Sequence, residues 1–287
     1  MKLSFRDYLK NRSFIRHCGA TGTELLKLGG VTPGALNNMV CPEKVYAVQK
    51  EYVDAGVEIS LTNTFAMNPL YAAVHAKEYD WREINLKGIE IAKKASQGRD
   101  YIFGNMGPVG EMLAPFGPLA PEDAYEAYRN HARVFAENDL DGISVQTFFS
   151  LDDMVLAVKA IRSITDMPII ASLVFNANGA TMMGDTPEKC YDTLKPLGID
   201  VFGHNCGEID SYTLGDLLAP LAAREELPII ACPNAGVPKS VNGNAVYDMA
   251  PEEFYKGIAY LKSKGIRILG GCCGVSDTHI RAIADLF

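Results

Sequence analysis

The sequence lacks the features of a nucleic-acid-binding or membrane protein. Its 287 residues carry a formal net charge of −8 and contain no run of basic residues, although phosphate neutralisation needs clustered Lys and Arg. No uninterrupted apolar stretch approaches the ~18 residues that span a bilayer. The charged N-terminus MKLSFRDYLK has no apolar segment of the kind found in signal peptides. We therefore expect a cytoplasmic protein with no nucleic-acid or membrane partner.

Disulfide bonds are also not expected. The chain has seven cysteines, but thiols stay reduced in the cytoplasm. Two of them, Cys272 and Cys273, are adjacent within the glycine-rich segment GGCCG, and adjacent cysteines close a strained ring when oxidised. Metal binding or chemistry is therefore the better interpretation of this pair.

Short apolar runs alternate with longer amphipathic segments along the whole chain. Hydrophobic residues make up 48% and charged residues 22%, a composition that supports a large core. The eight runs predicted as strands are 14–18, 57–62, 101–106, 142–146, 168–173, 200–205, 228–232 and 266–270. The helical patterns cover 43–55, 82–96, 121–138, 150–164, 187–196, 211–224, 251–264 and 276–286.

This alternation predicts an α/β protein, a single (β/α)8 barrel over residues 1–287, with a doubly wound open sheet as the alternative. The apolar runs are rich in β-branched residues and mostly do not alternate, as expected for parallel strands covered on both faces. No linker or change of composition indicates a second domain. The long connections 63–81 and 106–120 would lie on the catalytic face of the barrel.

Three cysteines follow neighbouring strands of the predicted barrel. Cys206 follows the sixth strand, Cys272 and Cys273 follow the eighth, and Asn234 follows the seventh between them. Neighbouring strands are ~4.8 Å apart, so side chains from the sixth and eighth strands can meet at one ion. Three thiolates with an exchangeable fourth position are typical of catalytic zinc. The flanking glycines permit the irregular backbone that two adjacent ligands need.

Other side chains of the same types are predicted to be structural or are ambiguous. A buried cysteine is usually a small hydrophobic residue, and this interpretation applies to Cys41, Cys190 and Cys232. Asparagine after a strand is often only a turn former, so a structural and a substrate-binding role stay open for Asn63.

Six motifs occur in order across nearly the whole chain: GATGTEL (19–25), TNTF (62–65), GPVG (107–110), NC (205–206), PNAG (233–236) and GGCCG (270–274). Together they resemble the homocysteine S-methyltransferase family, and the segment 115–125 is most similar to the N-terminal homocysteine-binding module of cobalamin-dependent methionine synthase. The resemblance implies a (β/α)8 barrel with zinc held by Cys206, Cys272 and Cys273. Asn234 matches a residue that can lie at or near the metal.

The resemblance also implies an activity, thiol S-methyl transfer of the kind used in methionine biosynthesis. Zinc favours the thiolate form of a bound thiol, and the thiolate is the nucleophile. The implied donor is a methyl-corrinoid on a separate corrinoid protein, because one barrel uses the whole chain. Three alternatives stay open: methyl transfer to homocysteine from S-methylmethionine or a betaine-like donor, demethylation of a methylthioether, and a zinc-binding regulatory barrel without turnover.

Two positions depart from the family pattern. The loop after the first strand usually begins with Asp, where this chain has Cys18, and the fourth strand usually ends in Glu, where it has Gln146. In the family these acids hold the ammonium group of homocysteine, and an ammonium in a pocket needs a carboxylate partner. We therefore expect homocysteine or a thiol that lacks the amino group, such as a mercapto-acid or mercapto-alcohol. Glu24, Glu111 or Asp185 could compensate and retain homocysteine as substrate.

The predicted substrate-binding residues come from the first, second and fourth strand ends. They are Cys18, Gly19, Ala20, Thr21, Glu24, Asn63 and Gln146. Because closure of a barrel places the first strand beside the eighth, a second hypothesis makes Cys18 a spare zinc ligand.

Overall fold

A computed structural model describes residues 2–241 and 244–287. In chain order the strands are β1 (Ile15–Arg16), β2 (Ile59–Leu61), β3 (Tyr101–Met106), β4 (Gly142–Phe148), β5 (Ile169–Leu173), β6 (Val201–Asn205), β7 (Ile229–Cys232), β8 (Lys239–Val241), β9 (Asn244–Val246) and β10 (Ile268–Leu269). All eight predicted strands are present, mostly shortened by one or more residues at their ends.

The helices alternate with the strands. They are α1 (Phe5–Asn11), α2 (Thr21–Lys27), α3 (Asn37–Val40), α4 (Pro42–Asp54), α5 (Pro69–His75), α6 (Trp81–Ser96), α7 (Pro121–Ala136), α8 (Leu151–Arg162), α9 (Pro187–Leu194), α10 (Ser211–Ala222), α11 (Pro251–Ser263) and α12 (Asp277–Ala282). Proline occupies the first turn of α4, α7, α9 and α11, where its missing N–H costs no intrahelical hydrogen bond.

Eight parallel strands form the barrel in the order β1-β10-β7-β6-β5-β4-β3-β2. A parallel bridge between His17 and Ile59 joins the two ends of this order. Hydrogen bonds from the Cys18 N–H to the Ile59 carbonyl, 3.0 Å, and from the Glu58 N–H to the Arg16 carbonyl, 2.8 Å, reinforce the closure. The (β/α)8 prediction is confirmed, and the doubly wound alternative is wrong.

Two additions to the barrel were not predicted from the sequence. Helix α1 covers the N-terminal end of the barrel, where the Phe5 ring packs on the rings of Tyr101 and Phe103 at centroid distances of 5.4 and 4.7 Å. The antiparallel strands β8 and β9 are inserted between β7 and α11. Within the described part of the chain, none of the helices combines the length and apolar character needed for a membrane crossing.

The C-terminal end of the barrel interior is polar, whereas the layers below it are apolar. Ile15, Ile59 and Ile268 are completely or almost completely buried. Above them, a cavity is lined from six different strands or strand ends by His17, Leu61, Asn105, Gln146, Asn205 and Cys232. Branched apolar residues dominate the interior of such barrels, so this polar layer indicates a binding function.

Candidate thiol and metal site

Three thiols meet at the C-terminal ends of β6 and β10. The Sγ atoms of Cys206, Cys272 and Cys273 all lie within 4.8 Å of one another, and those of Cys206 and Cys273 are 3.8 Å apart. Strand β7 lies between β6 and β10, as the sequence predicts. Two thiolates on a tetrahedral zinc, each with a Zn–S bond of ~2.3 Å, are separated by about 3.8 Å. The spacing of the sulfurs therefore fits a tetrahedral metal ion.

The backbone of Cys206 has a left-handed conformation, with φ at 64°. A non-glycine residue keeps this conformation only where its surroundings hold it. The Cys206 N–H donates to the Cys232 carbonyl at 3.1 Å, and the ring of His204 is 2.8 Å from the Cys206 carbonyl oxygen. The left-handed turn directs Cys206 toward the other two thiols.

The turn that carries Cys272 and Cys273 is held to the loop after β7. The Cys272 N–H donates to the Pro233 carbonyl, and the Cys273 carbonyl accepts from the Ala235 N–H, both at 2.9 Å. A Cβ at position 271 would lie 2.4 Å from the Val275 side chain. Glycine is therefore required in GGCCG for close packing as well as for backbone freedom.

Asn205, which precedes the first thiol, connects the cluster to the middle of the barrel. Its Nδ2 donates to the Thr147 hydroxyl at 2.7 Å and lies 3.6 Å from the Cys272 sulfur. Its Oδ1 accepts from the Thr147 N–H at 2.8 Å and from the Ser172 hydroxyl at 2.9 Å. Both polar atoms of the Asn205 side chain have hydrogen-bond partners, so the amide is fixed in place next to Cys272.

Asn234 lies beside the thiol cluster with one unsatisfied atom. Its Nδ2 donates to the Gly207 carbonyl at 2.6 Å, next to Cys206 in the chain. Its Oδ1 is buried and has no hydrogen-bond partner in the described structure. Buried amide oxygens normally have a partner, and Asn234 is not among the residues that line the cavity beside the thiols.

The three thiols alter one another's ionisation. Hydrogen bonds from the thiols of Cys206 and Cys272 lower the pKa of Cys273, and the Tyr247 hydroxyl contributes in the same direction. Hydrogen bonding with the neighbouring thiols, first with Cys206, and burial raise the pKa of Cys272. One thiolate, on Cys273, is thus stabilised by its neighbours, and a cation would stabilise the remaining two.

The thiols face a cavity of about 310 Å³. The predicted substrate-binding residues that line it are Gly19, Ala20, Thr21, Asn63 and Gln146. Among the described lining residues there is no Asp, Glu, Lys or Arg. The cavity is therefore suited to a small ligand with an uncharged body.

Comparison with known proteins assigns the chain to a family. The sequence profile described as homocysteine S-methyltransferase matches residues 17–287, nearly the whole chain. The chain belongs to the homocysteine S-methyltransferase family. It is therefore a methyltransferase, and the resemblance noted from its motifs is confirmed. Family membership supports methyl transfer to a thiol.

Two relatives are methionine synthases of Mycobacterium tuberculosis and Mycobacterium leprae. This homocysteine S-methyltransferase family member is 27% identical to the first over 263 residues and 26% identical to the second over 259 residues. Each match covers 86% of this chain but only 22% and 21% of the relatives, so the chain spans about a fifth of their length.

The fold is shared with a solved methyltransferase. The metallated form of the homocysteine methyltransferase MmuM from Escherichia coli matches with a TM-score of 0.82 at 19% identity, covering 99% of this chain and 100% of that one. Its apo form matches with a TM-score of 0.77 at 18% identity, covering 99% of each chain. At this level of identity the likeness confirms the (β/α)8 fold.

Two of the predicted substrate-binding residues of this family member do not line the cavity. Glu24 lies on α2 and pairs with Lys27 one turn later at 2.6 Å, so it does not line the cavity. Cys18 is buried outside the cavity, because successive side chains of an extended segment point to opposite faces and His17 takes the inward position. Of the other two acids, Glu111 lines the neighbouring cavity and Asp185 pairs with Lys189 at 2.6 Å, so neither lines the thiol cavity.

Cys18 also lies outside the cluster of three thiols, which does not support its role as a spare ligand. Cys41 and Cys190 are buried as predicted, whereas Cys232, although buried, also lines the cavity. Ile230 of β7 pairs with Gly203 of β6, and Cys232 lies two residues beyond Ile230, so the two side chains point to the same face of the strand. This register depends on the pairing of β6 with β7.

The sequence analysis missed His17 and Asn105. Both line the cavity, and both have a buried atom without a hydrogen-bond partner in the described structure, Nε2 of His17 and Oδ1 of Asn105. Both lie within predicted strands, 14–18 and 101–106, and no local pattern indicates which side chains of these strands point inward.

A second, larger cavity of about 680 Å³ adjoins the first, and the two share Phe65, Ala66, Tyr71 and Thr147. Its walls come from the segments that follow β2, β3, β4 and β5. Several of its apolar side chains are exposed, including Phe116 at 69% and Met182 at 60%. Exposed apolar side chains grouped beside a reactive centre are typical of a docking or binding surface.

Proposed function

We propose that this protein is a zinc-dependent thiol S-methyltransferase in which Cys206, Cys272 and Cys273 hold the metal. The observation that supports this most strongly is the convergence of three Sγ atoms within 4.8 Å at the edge of a cavity. Zinc bound there would favour the thiolate form of an acceptor thiol that takes its open position. Because the thiols must stay reduced, the proposal includes a reducing compartment such as the cytoplasm.

The residues around the thiols prepare the acceptor for methyl transfer. The Asn205 amide orients Cys272, and the ring of His204 holds the backbone of Cys206, so the ligands are fixed before substrate arrives. The cavity of about 310 Å³ surrounds a short thiol and keeps water from its sulfur. Asn234, with a free buried oxygen, is proposed as an additional ligand in the absence of the acceptor.

We propose further that the acceptor lacks the amino group of homocysteine. The support is the absence of any carboxylate among the described residues that line the cavity, with Gln146 as an amide at its wall. An ammonium group moved into this cavity would lose hydration without gaining a carboxylate partner. A neutral short thiol avoids that cost.

The proposed donor is a methyl-corrinoid carried by a separate protein. The methionine synthase relatives, of which this chain spans about a fifth, support such a donor. The larger cavity adjoins the thiol cavity and leaves room for a large methyl donor. S-methylmethionine and betaine-like donors are the alternatives, and demethylation of a methylthioether is the reverse reaction at the same site.

A matrix of donors and acceptors tests the proposal. Zinc-loaded protein is incubated with methylcobalamin, S-methylmethionine or betaine, each combined with homocysteine or simple thiols, and methylated thiol is measured by mass spectrometry. We expect turnover with methylcobalamin and a thiol that lacks the amino group. Efficient turnover of homocysteine with poor use of simple thiols would overturn the acceptor assignment. Tight zinc binding without any turnover would favour a regulatory barrel.

A further inference from the structure

Thr147 lies at the boundary between the thiol cavity of about 310 Å³ and the larger cavity of about 680 Å³. It is half-buried, and it lines both cavities. It is also hydrogen-bonded to Asn205, whose Nδ2 lies 3.6 Å from the Cys272 sulfur. Thr147 thus connects the boundary of the two cavities to a proposed metal ligand.

The backbone of Thr147 has a left-handed conformation, with φ at 64°. Six non-glycine residues of the described chain share this conformation, and three of them lie in turns at the ends of helices. The other three line the cavities, and they are Ala66, Cys206 and Thr147. Thr147 is the only β-branched residue of the six, and a left-handed backbone is least favourable for such residues. Strained residues of this kind cluster at functional sites.

A β-bulge in β4 brings Thr147 to this boundary. Gln146 pairs with Ser172 of β5, and Phe148 pairs with the next residue of β5, Leu173, so Thr147 is an extra residue in β4. In a regular strand the side chains of Gln146 and Thr147 would point to opposite faces, but both line the thiol cavity. Bulges beside active sites commonly redirect a side chain in this way. The bulge therefore adds Thr147 to the wall of the cavity.

The Asn205 side chain holds the bulge in place from the end of β6. The Thr147 N–H donates to Asn205 Oδ1 at 2.8 Å, and Thr147 Oγ1 accepts from Asn205 Nδ2 at 2.7 Å. Asn205 is itself buried, and its Oδ1 also accepts from the Ser172 hydroxyl at 2.9 Å. Valine has the shape of threonine but no oxygen, so it cannot accept the bond from Asn205. The position of the boundary thus depends on the same amide that contacts Cys272.

We propose that Thr147 is a positioning residue that aligns the methyl donor with the acceptor thiol. The inference rests on the proposed function, in which the acceptor occupies the thiol cavity and the donor the larger cavity. In the transfer, the thiolate sulfur forms a bond to the methyl carbon as the bond from this carbon to the donor breaks, and the electron pair of that bond stays with the donor. Misplacement of the reacting atoms by about 1 Å slows a reaction by about a hundredfold. A boundary fixed to the thiol cluster through Asn205 keeps the two reactants in register.

The variant Thr147→Val tests this role, because it keeps the shape of the side chain and removes the acceptor for Asn205. The donor and the thiol are the pair that turns over fastest in the donor–acceptor matrix, expected to be methylcobalamin and 2-mercaptoethanol. We expect kcat to fall by about tenfold to a hundredfold, because the reactants lose their alignment. Thr147→Ser keeps the hydroxyl and should stay within about threefold of the unsubstituted protein. Thr193→Val is the matched control, because Thr193 is an exposed residue of α9 that lines neither cavity.

Thiol binding distinguishes a loss of alignment from a general loss of structure. A thiolate that joins the metal of Co²⁺-substituted protein produces a charge-transfer absorption band, and titration of this band with 2-mercaptoethanol gives a dissociation constant. We expect Thr147→Val to retain Co²⁺ and to bind the thiol with a dissociation constant within about threefold of the unsubstituted protein, because the three cysteines still hold the metal. Glycine adopts the left-handed conformation without strain, so Thr147→Gly should show the same combination even if the valine variant does not fold.

The outcomes separate the role of Thr147 from the proposed function. An unchanged kcat in Thr147→Val or Thr147→Gly, while the unsubstituted protein transfers the methyl group, would overturn the role of Thr147 and leave the proposed function intact. A loss of thiol affinity that accounts for the whole loss of activity would also overturn it, as would a Thr147→Ser variant as slow as Thr147→Val. No methyl transfer by the unsubstituted protein with any donor would contradict the proposed function, and the role of Thr147 with it.

Discussion

The Nε2 of His204 donates a hydrogen bond of 2.8 Å to the carbonyl oxygen of Cys206, while its Nδ1 accepts from the Phe175 N–H at 3.1 Å. These two contacts fix both the tautomer and the plane of the ring. The Phe175 ring is stacked on it at 5.9 Å, and burial lowers the pKa of His204 to about 4. A neutral, immobile imidazole thus holds the left-handed backbone of a proposed metal ligand.

The first prediction concerns this histidine. His204→Leu removes the donor to the Cys206 carbonyl, so zinc affinity should fall about tenfold or more, as with other residues that position metal ligands. Competition with a chromophoric chelator measures the affinity. His204→Gln, which retains a donor near Nε2, should recover much of it. Unchanged affinity in His204→Leu would show that Cys206 does not need this support.

The second prediction separates the three clustered thiols from the other cysteines. Each of the single variants Cys206→Ser, Cys272→Ser and Cys273→Ser should lose the binding of one zinc per chain, because two thiolates cannot replace three. Cys18→Ser and Cys190→Ser should each keep one zinc per chain, since both residues lie outside the cluster. Elemental analysis after dialysis gives the ratio. Loss of zinc in Cys18→Ser would instead support the hypothesis that Cys18 is a zinc ligand.

The third prediction is a gain of function. Gln146→Glu places a carboxylate in a cavity whose described lining has none, so it should favour homocysteine over an uncharged thiol. The ratio of the two kcat/KM values should shift toward homocysteine by about tenfold, the size expected for a hydrogen bond to a charged group. Glu24→Gln is the control, because Glu24 does not line the cavity and should leave the ratio unchanged. A ratio unmoved by Gln146→Glu would mean that position 146 does not contact the amino group.

The fourth prediction concerns stability at low pH. His131 is fully buried, its Nε2 pairs with the Asn85 amide at 2.9 Å, and burial lowers its pKa to about 3. The unfolded chain, with an ordinary histidine pKa of about 6.5, binds the proton more readily, so stability is lost as pH falls below that value. Between pH 7 and 5 this residue should cost about 2 kcal/mol of unfolding free energy. Urea unfolding of the protein and of His131→Gln at both pH values measures it, and equal pH dependence in the two would contradict the assignment.

The fold was largely predictable from the sequence because each barrel element carries its own local signal. Short β-branched runs gave the strands, and Pro followed by acidic residues marked the starts of α7 and α11. The inserted strands β8 and β9 were missed because their residues 239–246 are few and polar, without an apolar alternation. Helix α1 was missed because only Phe5 and Leu9 of its residues are buried.

The cluster of three thiols was fully predictable from the sequence and the lining of the cavity only in part, for a physical reason. Cys206, Cys272 and Cys273 are rare residues next to glycine, so their position at the strand ends was visible in the chain. The roles of Cys18 and His17 depend on which of two successive side chains points inward, and that depends on pairing across the closure of the barrel. A slip of one residue exchanges them, and no local pattern decides it.

X-ray absorption at the zinc edge tests the central claim most directly, because it counts the sulfur atoms bound to the metal. Zinc-loaded protein is measured alone and after addition of 2-mercaptoethanol in excess. The account predicts three sulfur ligands and one lighter ligand in the resting protein, and four sulfur ligands once the thiol is bound. A coordination shell that the thiol leaves unchanged, or a protein that binds no zinc, would contradict it.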